Sequence, residues 1–178
     1  GFKQYQEINR PKFKRRWATA YASHGPEGHL PGLEKDRGIV GRVLFMDYAP
    51  PRADQDAGTE ATLQEIKLVQ SLGYKVTFVP TNMAHLGSYT ETLQKMGVEV
   101  IYAPFYMNVT EYLTQHAGDF DAFYITRYYV AQAVLAQIRA LAPKAKIIFN
   151  NADLHFLREL RAAKSEGDLG KLERARQT

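Results

Sequence analysis

The chain has 178 residues, of which 45% are hydrophobic and 24% are charged, and its formal net charge is +4. This length allows one domain with a sizeable core, and the composition is ordinary for a globular protein. The absence of cysteine excludes disulfides, cysteine-based zinc sites and cysteine nucleophiles. The sequence also lacks an apolar run near the ~20 residues that a membrane helix needs, so no membrane span is expected.

The positive charge is concentrated in the two flanks of the chain. Basic residues cluster between Lys12 and Arg16, and again between Arg158 and Arg176. Nucleic-acid binding favours a basic face with interleaved aromatic side chains on a folded core. We interpret both clusters as solvated faces of flanking helices and predict no nucleic-acid partner.

The first forty residues are predicted to form a helix and a linker. Phe13, Trp17 and Tyr21 recur at four-residue spacing, which places them on one helical face between residues 2 and 24. Glycine and proline are frequent in the stretch that follows, so a domain boundary is expected near residues 25–40. The first residues include no initiator methionine and no signal-peptide pattern, which indicates a piece of a longer chain.

From residue 41 the sequence alternates between strand and helix patterns. Five strands are predicted, at residues 43–46, 75–79, 98–102, 120–125 and 146–149. Helices are predicted between them, at residues 63–72, 89–96, 109–116 and 131–141. In the first of these helices, an apolar face is predicted because four residues recur at every third position: Leu63, Ile66, Val69 and Leu72. Each connection contains a helix and is too long for a hairpin, so the strands are expected to be parallel with right-handed crossovers.

This pattern predicts an α/β fold with a Rossmann-like, doubly wound parallel sheet of about five strands in three layers, α/β/α. The expected strand order is 3-2-1-4-5. The domain is predicted to cover residues 41–163. An N-terminal helix and linker at residues 1–40 would precede it, and a helical extension at residues 164–178 would follow it.

The functional site is expected at the carboxyl ends of the first and fourth strands, because ligands of open parallel sheets bind where the strand order reverses. The loops there, residues 47–58 and 126–129, are rich in polar and aromatic side chains. Ala57 and Gly58 open a helix, where an anion can approach backbone N–H groups. A helix cap by Asp56, with Gly58 serving only the turn, is an equally good reading. Neither G-x-G-x-x-G nor G-x-x-x-x-G-K-[ST] occurs, which argues against classical dinucleotide and triphosphatase sites.

Acidic and imidazole side chains add two further candidates. Asp54 and Asp56 form a D-x-D pattern that could bind a hard cation, but their place after the first strand favours capping or acceptor contact. We therefore predict no metal site. Asp153 and His155 directly follow the fifth strand, where they could transfer protons. An equally good interpretation is that Asp153 caps a helix and His155 is a partly buried structural residue. The remaining histidines lack metal-ligand spacing and are expected at the surface: His24, His29, His85 and His116.

Two stretches resemble the N-terminal domain of family 4 (group 1) glycosyltransferases, in which a Gly-rich pair follows the first strand and a helix leads into a Val-Thr second strand. They are Asp54-Gln55-Asp56-Ala57-Gly58-Thr59-Glu60 and Leu72-Gly73-Tyr74-Lys75-Val76-Thr77-Phe78-Val79-Pro80. Residues 149–159 are similar to a segment of bacterial envelope and O-antigen members. The resemblance covers most of residues 41–163. Asn9, Phe13 and Trp17 look like the end of a family 2 module, which would make this chain the middle piece of a multi-domain transferase.

The resemblance implies a GT-B fold, in which two Rossmann-like domains face a cleft, without metal and without a cofactor. The chain would supply the acceptor-side domain, and a C-terminal domain of the same parent chain would bind the nucleotide-sugar. Ala57 and Gly58 match the pair that meets the donor diphosphate, with alanine replacing one glycine. Asp153 and His155 fall near the catalytic side. Three residues would face the acceptor or the cleft: Asp54, Asp56 and Arg127.

The implied function is sugar transfer to a glycan or lipid-linked acceptor in bacterial cell-envelope polysaccharide synthesis. The expected location is cytoplasmic, with the inner membrane face as one alternative. A non-catalytic Rossmann-like binding or scaffold module is the second hypothesis. A nucleotide-dependent oxidoreductase is the third, and the missing G-x-G-x-x-G motif weighs against it.

Overall fold

A computed structural model describes residues 2–26, 31–52, 57–151, 161, 164 and 165. The chain divides into two compact units, Gly1–Val40 and Gly41–Thr178. Within the described residues, no helix is both long enough and apolar enough to cross a membrane.

The first unit contains short helical segments with exposed aromatic side chains. Its helices are α1 (Phe2–Arg16), α2 (Ala18–Tyr21) and α3 (Pro31–Glu34). The predicted single helix is therefore interrupted, because Trp17 is in a turn between α1 and α2. The predicted clustering of the three aromatic rings is present, since the ring centroid of Phe13 lies 6.3 Å from that of Trp17 and 6.1 Å from that of Tyr21.

The second unit is built on a parallel sheet with a helix in every connection. Its elements are β1 (Gly41–Asp47), α4 (Ala57–Ser71), β2 (Tyr74–Pro80), α5 (Ser88–Lys95), β3 (Glu99–Val100), α6 (Val109–His116), β4 (Ala122–Thr126), α7 (Tyr128–Leu141) and β5 (Lys146–Asn150). The strand order is β3-β2-β1-β4-β5, and every pairing is parallel. Both the predicted α/β class and the predicted order are confirmed.

The central strand β1 explains why the sheet has two covered faces. Its residues alternate, so that Val43 and Phe45 pack into the core beneath α4 and α5, whereas Leu44 and Met46 pack into the core beneath α6 and α7. A strand that is buried on both faces has a continuous run of apolar residues, and this pattern predicted β1 from the sequence. The unit is thus a three-layer, Rossmann-like, doubly wound domain.

The boundaries of some elements differ from the prediction. The third strand is shorter than predicted: Glu99 and Val100 are in register with β2, and Ile101 N donates to Phe78 O at 3.0 Å before the chain turns at residues 103–105. The side chain of Leu72 was expected on the apolar face of α4, but it is 60% exposed. The helix ends at Ser71, and Leu72 lies in the turn that Gly73 completes with a φ of 88°.

Candidate functional site

The carboxyl ends of β1 and β4 lie side by side at the centre of the sheet. The helix after β1, α4, packs on one face, and the helix after β4, α7, packs on the other. The direction of the strand order therefore reverses between these two strands. In open α/β sheets the loops that diverge at such a point leave a crevice where ligands bind.

An ion pair joins the two sides of this crevice. Arg127, directly after β4, donates from Nε to Oδ1 of Asp47, the last residue of β1, at 2.8 Å. The Asp47 side chain is only 13% exposed and that of Arg127 is 35% exposed. Asp47 Oδ1 also accepts from the backbone N–H of Tyr48. A partly buried guanidinium that is held by a carboxylate has a fixed orientation at the crevice.

The backbone of Arg127 is held in an unfavourable conformation. Its φ is 75°, in the region that favours glycine and is uncommon for residues with a side chain. The surrounding structure holds it there, because its N–H donates to Asn150 O at 3.2 Å and its carbonyl accepts from Ala131 N at 3.2 Å. Such strained residues cluster at functional sites, where the fold positions a side chain at a cost of ~1–3 kcal/mol.

A cavity of about 310 Å³ opens beside this ion pair. It is lined by the end of β1 and its loop, the first residues after β4, and the first turn of α4: Asp47, Tyr48, Ala49, Pro50, Pro51, Arg52, Thr59, Arg127 and Tyr129. Among the described residues of the lining, two are arginines and one, Asp47, is a carboxylate, which is paired with Arg127. Guanidinium groups bind phosphate and carboxylate oxygens with two parallel hydrogen bonds. The cavity is therefore suited to an anionic group.

The start of α4 strengthens this electrostatic character. Ala57 and Gly58 are its first two residues, and Thr59 lines the cavity. The unsatisfied N–H groups and the dipole at a helix N-terminus favour negative charge. Glu60 lies in the same turn and opposes this, but it is exposed, and its carboxylate accepts a hydrogen bond from Gln64.

A polar network connects β4, β5 and α4 beneath the same edge of the sheet. Asn150, the last residue of β5, donates from Nδ2 to the hydroxyl of Tyr124 at 2.9 Å and to the Glu65 carboxylate at 3.3 Å. The ring of Tyr124 stacks on Phe45, with 4.5 Å between centroids. Burial, and then the hydrogen bond with Glu65, raise the pKa of Tyr124 to about 12. The hydroxyl is therefore a neutral link at physiological pH.

The structure describes only part of the predicted site. Arg127 lies at the crevice, and Ala57 and Gly58 begin the helix beside it. Four other candidates lie outside the described residues: Asp54, Asp56, Asp153 and His155. Asn150, which ends β5, is joined to Arg127 by a backbone hydrogen bond.

The three described histidines have defined partners, and His29 lies outside the described residues. His24 packs against Tyr21, with 5.1 Å between ring centroids. His116 was expected to be a plain surface residue, but it is half-buried, with Nε2 2.7 Å from the Tyr106 hydroxyl and Nδ1 3.1 Å from the Asp119 carboxylate. His85 is exposed and packs edge-to-face on Tyr102. In the part of the chain that the structure describes, no group of three or more His, Cys, Asp or Glu side chains could hold a metal ion.

The sequence did not reveal the partners of the crevice residues. Asp47 was noted as part of a loop, and neither its ion pair with Arg127 nor the Glu65–Tyr124–Asn150 network was predicted. A polar residue that ends an otherwise apolar strand, as Asp47 and Asn150 do, is the signal that could have indicated them.

Comparison with known proteins gave no match to any family model, any curated protein or any solved structure.

Proposed function

We propose that residues 41–163 form the acceptor-side half of a glycosyltransferase. The enzyme would move a sugar from a nucleotide-sugar to a glycan or lipid-linked acceptor, in cell-envelope polysaccharide synthesis on the cytoplasmic side. The observation that carries the proposal is the arginine-lined cavity at the β1–β4 crevice, which Arg52, Arg127 and the first turn of α4 share. The likeness of residues 54–60 and 72–80 to family 4 glycosyltransferases supports the same reading.

The cavity supplies what the leaving group of sugar transfer needs. As the bond to the anomeric carbon breaks, negative charge grows on the departing diphosphate and positive charge grows on the sugar. Arg127 is already oriented by Asp47, so little reorganisation is needed when that charge develops. Arg52 and the α4 N-terminus add positive potential to the same space.

The remaining roles are assigned from the resemblance and from the order of the chain. Asp153 and His155 come three and five residues after Asn150, the end of β5, and we assign proton transfer at the acceptor hydroxyl to them. Asp54 and Asp56 precede α4, and we assign contacts with the acceptor to them. The nucleotide would be bound by a donor-binding domain of the parent chain. The 178-residue chain alone is therefore expected to show no turnover.

The test uses the protein that contains this chain together with its donor-binding domain. Transfer from a panel of labelled nucleotide-sugars to glycan and lipid-linked acceptors is measured for the wild type, Arg127→Gln and Arg127→Lys. We expect Arg127→Gln to lower kcat/KM on the order of 10²-fold, because it removes a charge-stabilising donor. Arg127→Lys should show most of the same fall in kcat/KM, since lysine cannot form the paired hydrogen bonds of a guanidinium.

Leu72→Ala is the matched control, because this side chain is exposed and lies in the turn before β2, away from the carboxyl ends of the strands. It should retain wild-type activity. Absence of any sugar transfer by the parent protein would overturn the proposal. Unchanged transfer after combined replacement of Gly58, Asp153 and His155 would instead favour a scaffold role for this domain.

A further inference from the structure

Aromatic side chains occur at the carboxyl ends of four adjacent strands. Tyr129 follows β4, Tyr48 follows β1, His85 follows β2, and Tyr102 and Phe105 follow β3. We call these five residues the aromatic strip. Because the strand order is β3-β2-β1-β4, the strip runs along one edge of the sheet in the order Phe105, Tyr102, His85, Tyr48, Tyr129.

Backbone hydrogen bonds make the loops that carry the strip continuous. Thr81 N donates to Asp47 O at 2.8 Å, and Asn82 N donates to Tyr48 O at 3.0 Å. Further along the edge, Ala103 N donates to Met83 O at 3.0 Å. The pairing of β1, β2 and β3 thus continues past the strands into their loops, which fixes the positions of the residues between them.

The rings of the strip form two groups, in which Tyr102 is partly buried against the core and the other four rings are exposed. At one end, Tyr48 meets Tyr129 edge-to-face at 6.4 Å between centroids. At the other end, His85 meets Tyr102 at 4.8 Å and Tyr102 meets Phe105 at 5.5 Å. Phe105 is 71% exposed, although a phenylalanine gains ~1.5–3 kcal/mol when it is buried. A group of exposed aromatic rings is more typical of a surface that binds a ligand or a partner than single exposed side chains are.

Polar groups with fixed hydrogen bonds lie in the loop that follows β2. His85 Nδ1 accepts a hydrogen bond from Gly87 N, so a neutral His85 ring carries its proton on Nε2. The exposed Asn82 accepts from Ala84 N through Oδ1, which fixes the orientation of its amide. The surface thus combines flat apolar rings with fixed hydrogen-bonding groups. This combination matches a sugar ring, which has apolar C–H faces and hydroxyls around its perimeter.

We propose that the aromatic strip binds an extended oligosaccharide acceptor, with its reacting end at the arginine-lined cavity. This inference rests on the proposed function and adds the class of acceptor to it. Tyr48 and Tyr129 belong to both the strip and the lining of the cavity, so the two sites are continuous. Neighbouring strands lie ~4.8 Å apart, so the three steps from β4 to β3 span ~14 Å, more than one sugar ring occupies.

The test measures glycan binding by the 178-residue chain itself. The probe is an array of immobilised glycans of one to six rings, drawn from hexose, hexosamine and deoxyhexose polymers, followed by titration of the best series. Affinity is expected to rise with the number of rings and then to level off. Phe105→Ala and Tyr102→Ala should each weaken the long members by about tenfold, as loss of an aromatic contact does. The single-ring member should be unaffected.

Tyr74→Ala is the matched control, since Tyr74, like Tyr102, is a partly buried tyrosine that packs against the same core, but it lies at the amino end of β2. Phe105→Trp should preserve the binding of long members. The inference is overturned if no glycan binds, if affinity does not depend on length, or if Phe105→Ala and Tyr102→Ala have no effect.

Failure of this inference and failure of the proposed function give different results. If the parent protein transfers sugar but glycan binding does not depend on length, the strip does not bind the acceptor and the proposed function stands. If binding depends on length but no sugar is transferred, the domain is a glycan-binding module and the proposed function is wrong.

Discussion

Arg127 and Asp47 lie 80 positions apart in the chain, and a 2.8 Å hydrogen bond joins them across the crevice between β4 and β1. The Arg127 backbone reaches this position with a φ of 75°. The contact therefore has two energetic components that oppose each other: a partly exposed ion pair that stabilises the fold, and a backbone conformation that destabilises it.

Replacing Arg127 with alanine and with glycine separates these two components. Both variants lose the ion pair, but only Arg127→Gly removes the side chain that disfavours a positive φ. We expect Arg127→Gly to be more stable than Arg127→Ala by about 1–2 kcal/mol. Urea unfolding followed by circular dichroism measures the difference. Equal stability of the two variants would show that the backbone at this position is unstrained.

The lining of the cavity predicts that the 178-residue chain binds inorganic pyrophosphate weakly. Arg127→Gln and Arg52→Gln should each reduce the affinity by about tenfold, because each removes a charge-assisted pair of hydrogen bonds. The affinity should also fall as salt is added, since screening weakens interactions between exposed charges.

Isothermal titration calorimetry at two ionic strengths checks this expectation. Lys67→Gln is the control, because it removes one exposed positive charge from α4 at a position outside the cavity lining. If Lys67→Gln and Arg127→Gln lower the affinity equally, pyrophosphate binds through the net charge of the protein and has no specific site at the crevice.

Local patterns were sufficient to predict the sheet, and they were insufficient for the site. The apolar run at Val43–Met46 predicted β1, because burial on both faces leaves that pattern. The predicted order of its neighbours is that of the open doubly wound arrangement, which the helices between the strands indicate. The predicted order also placed β1 beside β4, but the Asp47–Arg127 contact depends on the backbone conformation of Arg127 and on the orientation of both side chains, which no local pattern encodes. The third strand was predicted too long, since an apolar run does not indicate where an edge strand leaves the sheet.

In helix α4, the sequence pattern also failed to predict the burial of one side chain. Ile66 and Leu72 were both predicted on its apolar stripe, but Ile66 is 0% exposed and Leu72 is 60% exposed. We expect Ile66→Ala to lower the free energy of unfolding by ~2–5 kcal/mol, because it leaves a cavity in the core. Leu72→Ala should change it by less than ~0.5 kcal/mol. Similar losses in urea unfolding for both variants would contradict the position of the helix end at Ser71.

The Glu65–Tyr124–Asn150 network predicts a change in stability at alkaline pH. Burial and the hydrogen bond with Glu65 raise the pKa of Tyr124 from 10.0 to about 12 in the folded protein. Between these two values the unfolded chain loses its proton while the folded chain retains it. Because the folded state then binds more protons than the unfolded state, the free energy of unfolding must fall as pH rises through this window.

Tyr124→Phe tests this linkage, because it removes the ionisable hydroxyl and keeps the ring that stacks on Phe45. At neutral pH the variant should lose about 1 kcal/mol, since the Asn150 amide loses one hydrogen-bond partner. Between pH 10 and pH 12 its stability should fall less steeply than that of the wild type, so the two curves converge. Unfolding by urea at intervals across this range measures both slopes.

Tyr5→Phe is the control for the loss of one tyrosine hydroxyl, because the Tyr5 side chain is 69% exposed. It should keep the wild-type dependence of stability on pH. Burial also raises the pKa of Tyr112, and this contribution is common to all three proteins, so the comparison isolates Tyr124. Parallel curves for the wild type and Tyr124→Phe would show that the hydroxyl ionises alike in the folded and unfolded chains, and that the network with Glu65 and Asn150 does not form in solution.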